Sequence, residues 1–516
     1  MGSTLRRRHA LLVVLAAVLL GCGCGSPGTP LSATPHRRGA AEGPLVVGPG
    51  HTWFVTGAGG RHAVLLTGSH TWNNFQDWGL ADPPAALDFP GYLDFLERHG
   101  HNFIRLYVWE QAAWFPDTPD KVVVAPLPYA RTGPGRALDG GPRFDLERFE
   151  PGYFSRLRER VAMAGARGIY VSIMLFNGWS IELKGKKSGN PWRGHPFNRE
   201  NNVNGIDGDV NGDGEGKEVH TLANPAVTAL QKAYVRKVVD TVGDLDNVLW
   251  EISNESPPGA DAWQYEFIRT VQQLESARGK RHPVGMTALW PAPADHNASL
   301  FASPADWVSP NDNSKDPYQS DPPRSTARPK LVVSDTDHLW GLGGNPSWVW
   351  KSFLRGLHPI LMDPYVTTIH NNLPVWPAGQ TAATRPTDGN WDGIRKAMGY
   401  ARAVSERVDL ASMRPMDELA STGYCLAAPG REYLIYLPSR GGRLRSLAGR
   451  VLGGLAGERV EADLTAASGN LEVAWVDVER GVVVPGAGVT GGRRLTFRAP
   501  FAGDALLHLK ESPRGA

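Results

Sequence analysis

Eight short apolar runs recur between residues 63 and 363: AVLLTG (63–68), NFIRLYV (102–108), GIYVSIMLF (168–176), NVLWEIS (247–253), HPVGMTA (282–288), DWVSP (306–310), KLVVSD (330–335) and HPILMD (358–363). Between several of them, residues 90–100, 151–168, 226–244 and 263–279 carry apolar side chains at helical spacing. Near-continuous apolar strands alternating with helices belong to a parallel sheet buried on both faces. Eight such units in about 300 residues predict a (β/α)8 barrel, with its site at the carboxyl ends of the strands. An open doubly wound sheet is the alternative; no Gly-rich phosphate fingerprint follows the first run to favour it.

After Trp391 the pattern changes. One more helical stretch, WDGIRKAMGYARAVSERVD, leads into EYLIYLP, LEVAWVDVERG, RRLTFRAP and GDALLHLK, which alternate with period two between Gly and Pro turns. These predict a small antiparallel β-sandwich. The chain therefore divides into an export signal (1–22), a tether (23–43), a barrel (44–410) and a C-terminal sandwich (411–516).

Composition narrows the function. Among 516 residues, 54 Lys and Arg balance 52 acids. That leaves no field to draw the chain to nucleic acid or a membrane surface, and no basic helix or stacking motif is present. Seventeen Trp and 13 Tyr suit flat faces on which sugar rings stack as well as they suit a core. At the N-terminus, Arg6, Arg7 and Arg8 precede an apolar run from Ala10 to Leu20 and then LLGC. The run is too short to span a bilayer and reads as an export signal. A small residue directly before Cys22 resembles the bacterial lipobox, which implies a lipid on Cys22 as the one membrane attachment. Cys24 is a nearby competitor, and a plain secretory signal is the alternative. The Gly-, Ser- and Pro-rich stretch that follows reads as flexible. Beyond it only Cys425 remains, so the mature domains do not depend on an internal disulfide.

The fourth run, continued as NVLWEISNES, holds Glu251 within it and Glu255 at its end. WEISNES resembles the fourth strand of clan A glycoside hydrolases, the cellulase-like barrels, in which Asn-Glu supplies the acid/base. NFIRLYV carries Arg105 in the Asn-x-x-Arg pattern that those enzymes use beside the nucleophile. LLTGSHTWNNFQDWG (65–79) resembles a cellulase-like subgroup with a C-terminal β-domain. The resemblance runs from about residue 50 to the end and implies a retaining glycoside hydrolase. Glu255 would then protonate the departing oxygen and later activate water, and Asn254 would bond the sugar hydroxyl beside the anomeric carbon. The nucleophile is expected at the end of the seventh strand, where KLVVSDTDHLWG offers Asp335 in place of the usual Glu. Asp337 shares its parity and competes. The shorter Asp side chain leaves retention or inversion open, since each needs its own carboxyl separation. Glu251 has the parity of Glu255 but lies four residues deeper, as an interior acid within reach of Arg105.

Other groups fall at strand ends: His70 and Trp72, Trp109 and Glu110, Asn177 and Trp179, and His338. Together they suit a sugar cleft; singly, each also reads as a packed loop residue. His70 and His338 with Asp335 or Asp337 can be drawn as a zinc site, without His-rich spacing to support it. The stretch DGDVNGDGEGKE sets Asp207, Asp209, Asn211, Asp213, Glu215 and Glu218 at the spacing of an EF-hand loop. Its loop-like flank argues against a sensor pair and for one structural Ca²⁺; the alternative is a solvated acidic loop. No catalytic cofactor is expected. Three functions follow: an exported, monomeric hydrolase of poly- or oligosaccharides, a carbohydrate-binding barrel without chemistry, or a calcium-stabilised adhesin or scaffold.

Overall fold

The computed structural model describes residues 28–31, 40–56, 62–115, 121–181, 189–313, 315–324, 329–365, 368–370, 373–375, 391–439 and 457–513. The export signal, Cys22 and most of the tether lie outside them.

Eight parallel strands form one sheet: β1 (Gly68–His70), β2 (Phe103–Leu106), β3 (Tyr170–Asn177), β4 (Val248–Asn254), β5 (Val284–Thr287), β6 (Trp307–Ser309), β7 (Leu331–Asp335) and β8 (His358–Met362). Their order is 1-8-7-6-5-4-3-2, and every one of their residues is buried. The two ends of the sheet meet at Asn102. Its backbone N–H donates to Thr67 O and its Oδ1 accepts from Thr67 N–H, both at 3.0 Å, while its Nδ2 reaches Leu65 O. Gly68 makes the approach possible, since a Cβ there would lie 2.0 Å from Phe103 O. The Asn of the Asn-x-x-Arg motif thus closes the barrel, and its Arg enters the site.

The first apolar run does not become the first barrel strand. His62–Val64 instead joins Leu45–Val47 and Phe54–Thr56 in a small antiparallel sheet. Leu45 and Phe54 of that sheet pack with Leu66, Phe103, Leu249 and Leu331 of the barrel, near the amino ends of its strands. The carboxyl ends are left for chemistry.

Helices α1 (Phe89–Arg98), α2 (Pro151–Ala166), α3 (Pro225–Val242), α4 (Asp261–Ser276), α5 (His296–Ala302), α6 (Thr336–Leu339), α7 (Pro346–Leu354) and α8 (Trp391–Ser405) follow in chain order. Four begin alike: the side chains of Asp88, Glu150, Asn224 and Asn345 accept first-turn N–H groups ahead of a proline in the first turn. Both devices satisfy donors that a helix start leaves unpaired. Between β2 and α2 the chain adds a hairpin, Tyr129–Arg136 with Pro142–Phe149, and two strands, Ala113–Trp114 and Val122–Ala125, which form a three-stranded sheet with Asp77–Gly79 from the segment before α1.

The C-terminal region is a seven-stranded antiparallel sheet faced by the two-stranded ribbon Arg459–Asp463 and Arg494–Arg498. Alternation along Glu432–Leu437 divides its faces: Tyr433 and Ile435 pack with Val460 and Phe497 of the ribbon, whereas Leu434 and Tyr436 join the barrel's core. Tyr436 stacks on Trp350 of α7 at 6.5 Å, donates to the Asp504 carboxylate and lies 2.9 Å from Ser347 Oγ. Part of the segment read as tether is docked here. Thr29–Pro30 pairs with Val482 and Val483, and Leu31 is buried; an apolar side chain and two backbone groups find partners at that sheet edge. Among the described residues, no helix is long and apolar enough to cross a membrane.

Candidate active site

Arg105 is the centre of the carboxyl end of the barrel. Its side chain is 1% exposed, and it donates from Nε and Nη2 to the two oxygens of Glu251 at 2.9 and 2.5 Å. Nη2 also reaches Asn254 Oδ1 at 2.7 Å, and Nη1 reaches Asp335 Oδ2 at 2.7 Å and Asp337 Oδ2 at 3.2 Å. Burial disfavours its charge, but the Glu251 and Asp335 carboxylates hold the guanidinium well above its usual pKa. Glu251 is therefore the interior partner of Arg105 that strand parity implies.

Asp335 ends β7 and starts α6 by accepting the Asp337 N–H at 2.9 Å. His70 Nε2 lies 3.2 Å from its Oδ1. Burial pushes Asp335 up, yet His70 and Arg105 outweigh it and hold the carboxyl below the usual range. Asp337 goes the other way: burial first, then the Asp335 charge, raise it to about 6 against the pull of Arg105. One guanidinium faces three carboxylates, so one of them holds its proton more readily.

Asn254 is fixed on three sides. Its Oδ1 accepts from Arg105 and lies 3.0 Å from His338 Nε2, and its Nδ2 donates to Tyr107 OH at 2.8 Å. An amide oxygen only accepts, so His338 Nε2 carries a proton. Its Nδ1 lies 2.8 Å from Ser309 Oγ. Burial lowers His338 to about 3, which keeps the ring neutral.

Glu255 stands just past β4, 8% exposed, with a left-handed φ of 43°. A glutamate in that conformation is strained and must be held by its surroundings. Its carboxylate accepts from the Trp179 indole. Trp179 in turn is set by Asn177, whose Oδ1 accepts the Trp179 N–H at 3.1 Å. Gly178 lets the two loops touch: a Cβ there would sit 1.9 Å from Glu255 O.

Glu110 accepts from Asn177 N–H at 2.8 Å and lies 3.2 and 3.4 Å from the Nε2 atoms of His220 and His195. Burial pushes its carboxyl up, but the two histidine hydrogen bonds bring it down to about 2. Its imidazole partners are far away in sequence, so nothing in the motifs announced them.

The aromatic residues part company. Trp109 is 2% exposed, stacked on Trp78 at 4.8 Å and edge-on to Trp114. Its ring has no free face for a sugar, which corrects its reading as a cleft residue. Trp72 is also nearly enclosed, and its carbonyl accepts from the Trp109 indole. Tyr107, Ser309 and Trp290 also belong to this end of the barrel, and no motif marks them. Tyr107 shares the strand face of Arg105 two residues earlier, which was a usable signal. Trp290 follows β5, is 50% exposed, and donates its N–H to Ser256 O at 2.9 Å.

Among the described residues, Asp335, Asp337 and His338 are grouped closely enough to share a metal ion. Arg105 already bonds both of those carboxylates, so the positive charge they call for is supplied by the protein, and a zinc reading gains no support. The acidic loop is a separate feature. Asp209 accepts N–H groups from Gly212, Asp213 and Gly214 at 2.8 to 3.1 Å, and Asn211 Nδ2 reaches Asp213 Oδ2 and Glu218 Oε1. The turn is thus organised on Asp209. Gly212 and Gly214 both have a left-handed φ, 74° and 81°, and Gly212 is at position 6 counted from Asp207, where such a loop needs its glycine. Asp207 lies at the border, its carbonyl bonded to Asn224 at the start of α3. Glu215 pairs with Lys217. Burial, then the Asp213 and Asp209 charges, raise the Glu218 carboxyl.

Residues 119–290 match the family model described as a domain of unknown function (DUF6298). No curated protein gives a match. Among solved structures, the chain is similar to one described as a glycoside hydrolase, at 12% identity over 93% of this chain and 98% of that one, with a TM-score of 0.55. It is equally similar to a glycoside hydrolase family 5 structure from Bacteroides vulgatus, at 11% identity over 95% and 96% of the two chains, also with a TM-score of 0.55. At such identities the likeness establishes the fold: a (β/α)8 barrel followed by a β domain.

Proposed function

We propose that this protein is a glycoside hydrolase that cleaves a poly- or oligosaccharide, with Glu255 as acid/base and Asp337 as nucleophile. The observation that carries this reading is that Glu255 and the Asp335–Asp337 pair, on opposite sides of the barrel mouth, are joined through Asn254 and Arg105. Glu255 donates its proton to the glycosidic oxygen as the C–O bond breaks, and the Asp337 carboxylate forms an ester with the anomeric carbon. Water, deprotonated by Glu255, then attacks that carbon and releases Asp337. Asn254 is 0% exposed and both ring nitrogens of His338 are engaged, so these two order Arg105 and the mouth from behind rather than touch the sugar as the sequence implied, and Trp290 offers a flat rim.

The sequence favours Asp335 for the nucleophile, and burial argues against it. Asp335 is 0% exposed with both oxygens engaged by His70, Arg105 and a backbone N–H, whereas the Asp337 side chain keeps 10% exposure. A carboxylate that must reach a sugar needs an accessible oxygen. Asp335 then serves as the fixed charge that orients Arg105 and His70. Since Asp337 must be ionised to attack, kcat/KM is expected to fall as pH drops below about 6. In Asp335→Asn the like charge is gone, so the acid limb of the profile is expected to move to lower pH. A pH–rate profile of the two proteins checks this, and an unmoved limb would count against Asp337.

We further propose one Ca²⁺ on the loop of Asp209, Asn211, Asp213 and Glu218, where clustered carboxylates that raise Glu218 would be relieved by a cation. An ion that binds only the folded chain at a hundredfold excess over its Kd stabilises it by about 2.7 kcal/mol. Thermal unfolding is expected to shift upward with Ca²⁺ over EDTA, and Asp209→Ala is expected to abolish the shift. Export with a lipid on Cys22 completes the proposal, to be checked by mass spectrometry of the mature N-terminus. The hydrolase reading itself is tested by turnover with and without Glu255, as set out below.

A further inference from the structure

We infer that Glu110 positions the acid/base from both of its sides, through Asn177 and Trp179 on one and through His220 and Ser256 on the other; this rests on the reading of Glu255 as the acid/base. On the first side, the Glu110 carboxylate accepts the N–H of Asn177, the last residue of β3, at 2.8 Å. Asn177 caps Trp179, and the Trp179 indole bonds the Glu255 carboxylate. On the second side, His220 Nε2 lies 3.2 Å from Glu110 Oε1 and its Nδ1 lies 3.0 Å from Ser256 Oγ. Ser256 follows Glu255 directly. His220 is itself clamped face to face on Trp263, with ring centres 4.3 Å apart.

One carboxylate therefore fixes both the indole that holds the Glu255 head and the residue next to its backbone. His220 and Ser256 are both 0% exposed, so neither reaches a sugar; they act through Glu255. The strained φ of 43° at Glu255 needs such an over-determined setting, and this chain of bonds supplies it. The chain has a second consequence. His195 Nε2 lies 3.4 Å from the same carboxylate, and both histidines belong to the long segment after β3 that carries the acidic loop. The fold of that segment is thereby linked to the geometry of the acid/base.

The test compares wild type, Glu255→Gln, Glu110→Gln, His220→Gln and Ser256→Ala on aryl glycosides of a sugar that the wild type cleaves, from dinitrophenyl to phenyl. A departing dinitrophenolate needs no proton, whereas a phenolate does. Displacing the acid by an ångström is expected to lower kcat/KM on the phenyl glycoside about 10²-fold with its KM little changed, while kcat/KM on the dinitrophenyl glycoside holds within about threefold. Ser256→Ala removes a single hydroxyl and keeps the test alive should Glu110→Gln fail to fold. A uniform loss across leaving groups, or no loss, in the three network variants overturns the positioning role while leaving the acid/base standing. No leaving-group signature in Glu255→Gln overturns the acid/base reading, and the positioning with it.

Discussion

Glu255→Gln is expected to lower kcat/KM on an unactivated glycoside by about 10²- to 10⁴-fold, the contribution of a positioned general acid. Gln has the same shape and can still accept from the Trp179 indole that bonds Glu255, so the loop should keep its place and the loss should be chemical. With an activated aryl glycoside the first step needs no acid, but the second still needs a base to activate water. The glycosyl ester should then accumulate, seen as a burst of released phenol followed by slow turnover. Azide, a nucleophile that needs no deprotonation, should restore the second step in Glu255→Ala. Loss of activity without a burst, or undiminished turnover, would remove Glu255 from the reaction.

Arg105→Met is expected to be the most destabilising single change at the site. Glu251 and Asp335 are each 0% exposed and each bonded to Arg105. Removing one partner of a buried ion pair leaves the other charge uncompensated, at a cost of about 3–5 kcal/mol. The sign of its pH dependence follows. In the wild type Asp335 is held below the usual carboxylate range, so the stability it contributes is present at neutral pH and is lost as pH falls through that depressed value. In the variant the buried Asp335, without Arg105 to hold its charge, instead takes up a proton readily, so the gap between variant and wild type should narrow as pH falls. Urea unfolding at several pH values measures it; a gap that is absent or constant would mean that the network is not held by charge. Arg105→Lys should recover little, because an ammonium cannot reproduce the forked pairing with Glu251.

Much of the barrel could be read from alternating apolar runs and helical segments, because strands buried on both faces have little choice of residue. The exception is instructive. β1 is Gly-Ser-His, with hardly an apolar atom; of the apolar residues before it, Ala63 and Val64 went to the small sheet below, and Leu65 and Leu66 are buried between the two. Polar residues are tolerated in β1 because they are bonded: Ser69 Oγ lies 3.2 Å from His101 Nδ1, Tyr92 OH donates to Ser69 O at 2.6 Å, and His70 Nε2 bonds Asp335, with His70 Nδ1 left without a partner among the described residues. The hairpin Tyr129–Arg136 with Pro142–Phe149 was hidden for another reason. Its first strand, YARTGPGR, is broken by Gly and Pro and half exposed, so it carries no clean alternation. At the site, strand parity was enough to join Arg105 to Glu251 and to set Asn254 and Glu255 at the mouth. Burial was not legible, and burial decides between Asp335 and Asp337 and takes Trp109 out of the cleft. Nor was the Glu110 network, whose histidines lie 85 and 110 residues away; such contacts follow from the folding of a long loop, which no local pattern encodes.

The most direct test of the central claim is release of reducing ends from a broad panel of plant and bacterial polysaccharides by the mature protein, beside Glu255→Gln, Asp337→Asn and Asp335→Asn. The expected result is cleavage of at least one substrate by the wild type and its loss in Glu255→Gln and Asp337→Asn, with Asp335→Asn retaining measurable turnover. Binding of a polysaccharide without cleavage, undiminished in all three variants, would contradict the hydrolase and leave a barrel that only holds sugar.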